Sequence, residues 1–96
     1  MNSFVKVSGE RDEHDVKAFT ISTCPWCKKT KKLLKDMDVE YRYADIDLLS
    51  GDEKEEVKEE LSEYNPVRNV PTLVIDGGEE VIKGFKEEKI REVLED

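Results

Sequence analysis

Cys24 and Cys27 are the only cysteines in this chain of 96 residues, and they flank a Pro-Trp pair in the run Thr23-Cys24-Pro25-Trp26-Cys27. Two thiols so spaced can share one disulfide, make it, break it and make it again. The chemistry they support is thiol–disulfide exchange. The thiolate is the nucleophile in that exchange, and an ordinary cysteine is only ~3% ionised at pH 7. One member of the pair must therefore be activated by its surroundings. A bridge over two residues closes almost no loop, so it would add little stability through chain entropy. A structural zinc needs about four ligands, whereas this chain offers the two cysteines and a lone His14. A metal or iron–sulfur carrier using Cys24 and Cys27 across a dimer is the alternative to a redox role.

The elements around the pair supply the activation. Val16 to Ile21 is β-rich and continuously apolar, as a buried strand should be. Ser22 and Thr23 then offer a helix cap, and Pro25 suits a first turn. Cys27, Thr30, Leu34 and Met37, with Leu33 beside them, follow helical spacing to about Asp36, with lysines on the other faces. Cys24 therefore sits where unpaired N–H groups and the positive end of the helix dipole meet its sulfur, with Lys28 and Lys29 adding charge. Cys27 lies one turn further in and is the more buried. The expected order is attack by Cys24, then release by Cys27. Trp26 is expected beside Cys24, exposed, where it can pack on a substrate.

Further along, Val39 to Ile46 alternates, placing Val39, Tyr41, Tyr43 and Asp45 on one side of a second strand. Ser50 and Glu53 form a capping-box pattern for a helix to about Glu63, with Val57, Leu61 and Tyr64 as its apolar stripe. Its acidic residues (Asp52, Glu53, Glu55, Glu56, Glu59, Glu60) read as a solvated face, and Asn65-Pro66 ends it. Pro71 to Ile75 is a third strand, Asp76-Gly77-Gly78-Glu79 a hairpin turn, and Glu80 to Lys83 a fourth strand. Gly84-Phe85 is a turn before a helix from Lys86 to Leu94. The class is α/β, in the order β-α-β-α-β-β-α, giving a mixed four-stranded sheet flanked by helices. The first two strands are parallel through a right-handed crossover. Phe4 to Val7 is an extra edge strand or a frayed arm.

Two more constellations bear on the site. Val70-Pro71-Thr72 is read as a cis Val70–Pro71 bond that exposes the Val70 backbone for strand-like pairing with a substrate. Gly84 is read as permitting close backbone approach beside the thiols, with Phe85 lining the docking surface. His14 has no evident partner, and Tyr41, Tyr43 and Tyr64 read as packing residues.

Composition sets the outer limits. Charged residues make up 42% and hydrophobic residues 36%, with a net charge of −8. One domain with a modest core fits that length. The acidity argues against nucleic acid or an anionic membrane surface as partner. Met1 to Asp15 lacks the apolar stretch of a signal peptide, and no segment has the length of a membrane span. The expected compartment is the cytoplasm, where disulfides are usually transient.

These residues together resemble the glutaredoxin family of the thioredoxin-like superfamily. The resemblance covers roughly Asp15 to Leu94 and rests on TCPWC at Thr23–Cys27, VPT at Val70–Thr72, IDGG at Ile75–Gly78 and KGFKEEKI at Lys83–Ile90. It implies residues 15–96 as a glutaredoxin-like domain behind an N-terminal extension, residues 1–14. It implies Cys24 as nucleophile, Cys27 as resolving thiol and a cis Pro71. Thr23, Pro25, Trp26, Val70, Pro71, Thr72, Gly84 and Phe85 are then the substrate-binding set. No tightly bound cofactor is implied, and the protein would act as a monomer on protein disulfides.

The donor is open between glutathione and a thioredoxin-reductase-type flavoenzyme. Glutaredoxins typically carry Lys or Arg three residues before the first cysteine to meet a glutathione carboxylate, and here that residue is Ile21. Their usual Gly-Gly pair is replaced by Lys83-Gly84, with Lys86 as a substitute cation. Lys83–Glu87 is also similar to a signature of the redoxins that feed ribonucleotide reductase. That similarity favours the flavoenzyme and adds ribonucleotide reductase to the candidate clients.

Overall fold

The computed structural model describes residues 3–95. Its strands are β1 (Val5–Val7), β2 (Val16–Thr20), β3 (Tyr41–Asp45), β4 (Thr72–Ile75) and β5 (Glu80–Lys83), and its α-helices are α1 (Pro25–Asp36), α2 (Gly51–Tyr64) and α3 (Glu87–Leu94). The strands form one mixed sheet in the order β1-β3-β2-β4-β5. β2 and β3 run parallel, joined through α1, and every other pairing is antiparallel.

The sheet thus has five strands, one more than the four expected for the core. The extra strand is β1, whose Val5, Lys6 and Val7 pair with Tyr43, Arg42 and Tyr41 at the β3 edge. Gly9 and Arg11 continue the attachment. The Arg11 N–H donates to the Asp38 carbonyl at 2.9 Å, and the Glu40 N–H donates to the Arg11 carbonyl at 2.9 Å. β3 is also shorter than the alternating stretch from 39 to 46. Val39 is buried outside it, and Ala44, rather than Asp45, is a buried residue at its far end.

Strand alternation sends side chains to two cores. On one face Val16 and Ala18 of β2 and Leu73 and Ile75 of β4 pack with Leu33 and Leu34 of α1 and Ile90 and Leu94 of α3. On the other, Phe19 and Val74 pack with Ala44, Ile46 and Val57 and Leu61 of α2. The sheet is therefore sandwiched between α1 and α3 on one side and α2 on the other. Both faces of β2 and β4 are covered, which is why their sequences read as nearly unbroken apolar runs.

Several local expectations are corrected. Ser50 precedes α2 but makes no side-chain cap bond, and the Glu53 carboxylate instead accepts from Ser3 Oγ at 2.9 Å. The acidic face of α2 is not wholly solvated, because Glu60 pairs with Lys17 of β2 at 2.5 Å. His14 has a partner after all. Its Nδ1 lies 2.8 Å from Asp76 Oδ2, while Asp76 Oδ1 accepts from the Asp15 N–H at 2.9 Å. That clasp ties the start of β2 to the 3-10 turn (Asp76–Gly78) linking β4 to β5.

Candidate functional site

The two thiols sit at the junction of β2 and α1, and the helix start treats them differently. Cys24 is itself the N-cap, in extended backbone, with Pro25 in the first turn. The Cys27 N–H donates to Cys24 Sγ at 3.2 Å. Ser22 and Thr23 do not cap. The Ser22 N–H and hydroxyl donate to the Asp47 carboxylate at 2.8 and 2.5 Å. Those hydrogen bonds hold the Asp47 carboxyl below its usual range and pin the loop ahead of Cys24 to the turn after β3. No acidic residue stands in the first turn of α1, so nothing there opposes a negative sulfur.

Three residues on, Cys27 points inward and is fully buried, whereas Cys24 is half-buried; both thiols are free. Burial, reinforced by the neighbouring Cys24 thiol, pushes Cys27 up to about 12. The pair therefore consists of one accessible sulfur held at a helix N-terminus and one sheltered sulfur that keeps its proton.

Five of the expected site residues surround a groove of about 190 Å³: Trp26, Val70, Pro71, Gly84 and Phe85. The Trp26 and Phe85 rings stack, with centroids 5.8 Å apart, and Lys29 Nζ lies 4.6 Å from the Trp26 centroid. Trp26 remains 54% exposed, so this aromatic pair forms an apolar wall open to a ligand. The Val70–Pro71 bond is cis. The Pro71 carbonyl accepts the Gly84 N–H at 2.7 Å, which joins the two sides of the groove. Gly84 is there for its conformation, φ +88°; a Cβ on it would meet nothing within 4 Å, so close packing within the chain is not the reason for glycine.

The remaining expected residues lie apart from the groove lining. Thr23 and Pro25 are exposed at the mouth of α1. Thr72 is buried, its hydroxyl donating to the Asn69 carbonyl at 2.7 Å and accepting from Asn65 Nδ2 at 3.2 Å. It holds the loop that carries Val70 in place.

A second groove of about 290 Å³ was not anticipated. Ile21, Ile46, Leu61 and Val70 give it an apolar floor, and Lys54, Lys58, Arg68 and Asp47 ring it. Val70 borders both grooves, and the Ile21 carbonyl accepts the Cys24 N–H at 3.1 Å. The cations sharing this groove with Ile21 come from α2 and from the loop before Pro71. Lys86 faces a different depression, along α3. Lys54 and Lys58 stand four apart on α2 and so share a helix face, a spacing legible in the sequence but masked there by the surrounding acidic residues. Among the described residues no group of three or more His, Cys, Asp and Glu is arranged to hold a metal ion, and no helix is long and apolar enough to cross a membrane.

Residues 16–80 match the family model described as Glutaredoxin. A glutaredoxin-like 8.6 kDa protein in the rubredoxin operon of Clostridium pasteurianum is 34% identical over 80 residues, spanning 83% of this chain and 97% of that protein. The crystal structure of the glutaredoxin from Methanosarcina mazei superposes with a TM-score of 0.85 at 46% identity, covering 97% of this chain and 88% of that one. Methanosarcina acetivorans methanoredoxin gives a TM-score of 0.81 at 43% identity, covering 86% of each chain. The chain belongs to the glutaredoxin family, whose general chemistry is thiol–disulfide exchange.

Proposed function

We propose that this protein is a dithiol oxidoreductase that reduces protein disulfides in a reducing compartment such as the cytoplasm. Cys24 is the nucleophile and Cys27 the resolving thiol. The Cys24 thiolate attacks one sulfur of a substrate disulfide; that S–S bond breaks, a mixed disulfide forms, and the first substrate sulfur leaves and takes a proton. Cys27 then loses its proton and attacks Cys24 Sγ. The Cys24–Cys27 bond forms and the second substrate sulfur leaves as a thiol. Two electrons pass from the dithiol to the substrate. The observation that carries this assignment of roles is the asymmetry of the pair: an accessible sulfur at the helix cap above a fully buried one. The groove lined by Trp26, Val70, Pro71, Gly84 and Phe85 supports an extended substrate segment, received by the Val70 backbone and the aromatic wall.

The second groove bears on the donor. Lys54, Lys58 and Arg68 around an apolar floor suit a small anionic thiol such as glutathione, its carboxylate taken by these side chains in place of a cation at Ile21. This weighs toward glutathione against the flavoenzyme that the sequence favoured. Protein disulfides are the client class, with ribonucleotide reductase among the candidates.

The roles are tested with Cys24→Ser and Cys27→Ser. Cys24→Ser should abolish disulfide reduction, and Cys27→Ser should accumulate mixed disulfides through Cys24, visible by mass. Substantial reductase activity in Cys24→Ser would overturn the mechanism. The donor is tested by following loss of the oxidised dithiol with glutathione or with a thioredoxin-reductase-type enzyme. A Lys58→Glu/Arg68→Glu variant should lose the glutathione reaction selectively, and equal rates with the parent protein would remove glutathione from this groove.

A further inference from the structure

The mechanism asks the sheltered Cys27 to become a thiolate inside the protein, although its burial works against this. Something close by must hold positive charge when the proton leaves. Lys31 lies four residues further along α1, so its side chain shares a helix face with Cys27. It is only partly exposed, unlike Lys28, Lys32 and Lys35 of the same helix. Its Nζ donates to Asp45 Oδ1 at 2.9 Å and sits 4.0 Å from the Tyr43 ring centroid. Asp45 is itself fixed, because Thr20 Oγ1, at the buried end of β2, lies 2.5 Å from the same carboxylate oxygen and 3.1 Å from the Ala44 carbonyl. Both partners are largely sheltered, with side-chain exposures of 22% for Lys31 and 13% for Asp45. By contrast, Lys32, one residue on, is 77% exposed and pairs with Asp36 at the surface.

We propose that Lys31, held by Asp45 and Thr20, is a positioning residue for the resolving step, keeping a fixed ammonium beside Cys27 as its sulfur takes on negative charge. This rests on the assignment of Cys27 as resolving thiol. The groups acting on Cys27 are Cys24 ahead of the helix, the Ile21 backbone and Lys31; those facing Lys31 are Asp45 and Tyr43 of β3. Of the ionisable groups acting on Cys27, Cys24 disfavours its thiolate and Lys31 favours it. The lysine is anchored to the sheet rather than to the thiols, so its charge stays in place while Cys24 passes from thiol to mixed disulfide to disulfide. A surface lysine would follow the moving charges and be screened by solvent.

The test uses an aromatic disulfide whose thiolate is coloured, in a stopped-flow instrument between pH 6 and 9. The first release reports attack by Cys24, and the second reports resolution by Cys27. Lys31→Met should slow the second release about threefold or more, on the scale of a partly sheltered charge pair, at every pH and without changing the first. Lys31→Arg should restore it. Lys32→Met, the same charge change on the exposed face, should leave both phases unaltered. Alkylation of Cys27 by iodoacetamide in a Cys24→Ser background should fall in parallel, a readout that needs no turnover. If Lys31→Met does not fold, Lys31→Gln carries the same comparison. A second release in Lys31→Met equal to that of Lys32→Met, or no restoration by Lys31→Arg, would overturn the proposal. Absence of any second release in the unaltered protein would instead overturn the assignment of Cys27.

Discussion

On the proposed mechanism, the proton on Cys27 sets a measurable limit on how fast a bound substrate is released. With its thiol pushed up to about 12 from an ordinary 9.0, the thiolate fraction at pH 7 falls from ~10⁻² to ~10⁻⁵. A more basic thiolate is a better nucleophile, with a Brønsted slope near 0.4–0.5, which returns roughly a factor of 20 across that interval. The net cost is about fiftyfold in the resolving rate relative to an unperturbed thiol. Burial is the first cause of the shift and remains in the mixed disulfide, whereas the contribution of the Cys24 thiol is lost there, so about fiftyfold is the upper limit of the cost. The second release with a chromogenic disulfide should therefore rise about tenfold per pH unit from pH 6 to 9 with no plateau. A plateau anywhere below pH 9 would mean that Cys27 ionises as an activated thiol, well below the ordinary 9.0. The division into an exposed nucleophile and a sheltered, protonated partner would then fail.

Other perturbations follow from the same geometry. Trp26→Ala removes the ring stacked on Phe85; with Trp26 half in solvent, stability should fall by no more than ~1 kcal/mol, while KM for a protein disulfide rises several-fold. Gly9→Ala would put a methyl 2.7 Å from the backbone of Val39 and Glu40, and should cost about 1–3 kcal/mol in denaturant unfolding; an unchanged midpoint would show that β1 is not held as described. His14 and the Asp15 N–H lower the Asp76 carboxyl from 3.8, so its stabilisation is present above that pH and lost as pH falls. The Tm advantage of the parent protein over Asp76→Asn, measured at pH 6, should vanish in strong acid. Cys27 and Tyr41 are both raised by burial, so their stabilisation is complete below about pH 9 and lost above it as the unfolded chain ionises first. Cys27→Ser should flatten that alkaline decline in thermal unfolding.

What the sequence made legible was local. Cys24 through Cys27, the helical spacing of Thr30, Leu33 and Leu34, the apolar runs of β2 and β4 and the glycine turn before β5 all carry their signal within a few residues. The structure places each near its expected span. What was missed depended on contacts distant along the chain. β1, which the sequence leaves open between an edge strand and a frayed arm, has three residues and no periodicity of its own, and only the β3 edge decides for the strand. His14 meets a residue 62 positions away. Ser22 is a reasonable cap by type, but Asp47 offers its donors a better acceptor, and the Cys24 sulfur takes the capping place. Lys54 and Lys58 sit in a helix whose many acidic residues present themselves in sequence as one solvated face. The crossover between β3 and β4 is what carries that helix to the far side of Ile21.

That crossover also resolves an apparent mismatch between the protein's charge and its chemistry. A chain with a net charge of −8 would by itself repel an anionic thiol and oppose a thiolate. Distribution outweighs the total, because screening confines the influence of exposed charge to about 10 Å. Lys54, Lys58 and Arg68 line the groove beside Ile21, Lys29 lies over Trp26, Lys31 acts on Cys27, and the first turn of α1 has no acid. The acidic excess is carried elsewhere, much of it on α2 and α3. Around the groove beside Ile21, two lysines and an arginine outnumber the one carboxylate, Asp47. On the proposed glutathione reading, the absence of a cation at Ile21 is a change in where the positive charge is anchored, with Lys54, Lys58 and Arg68 supplying it across the groove.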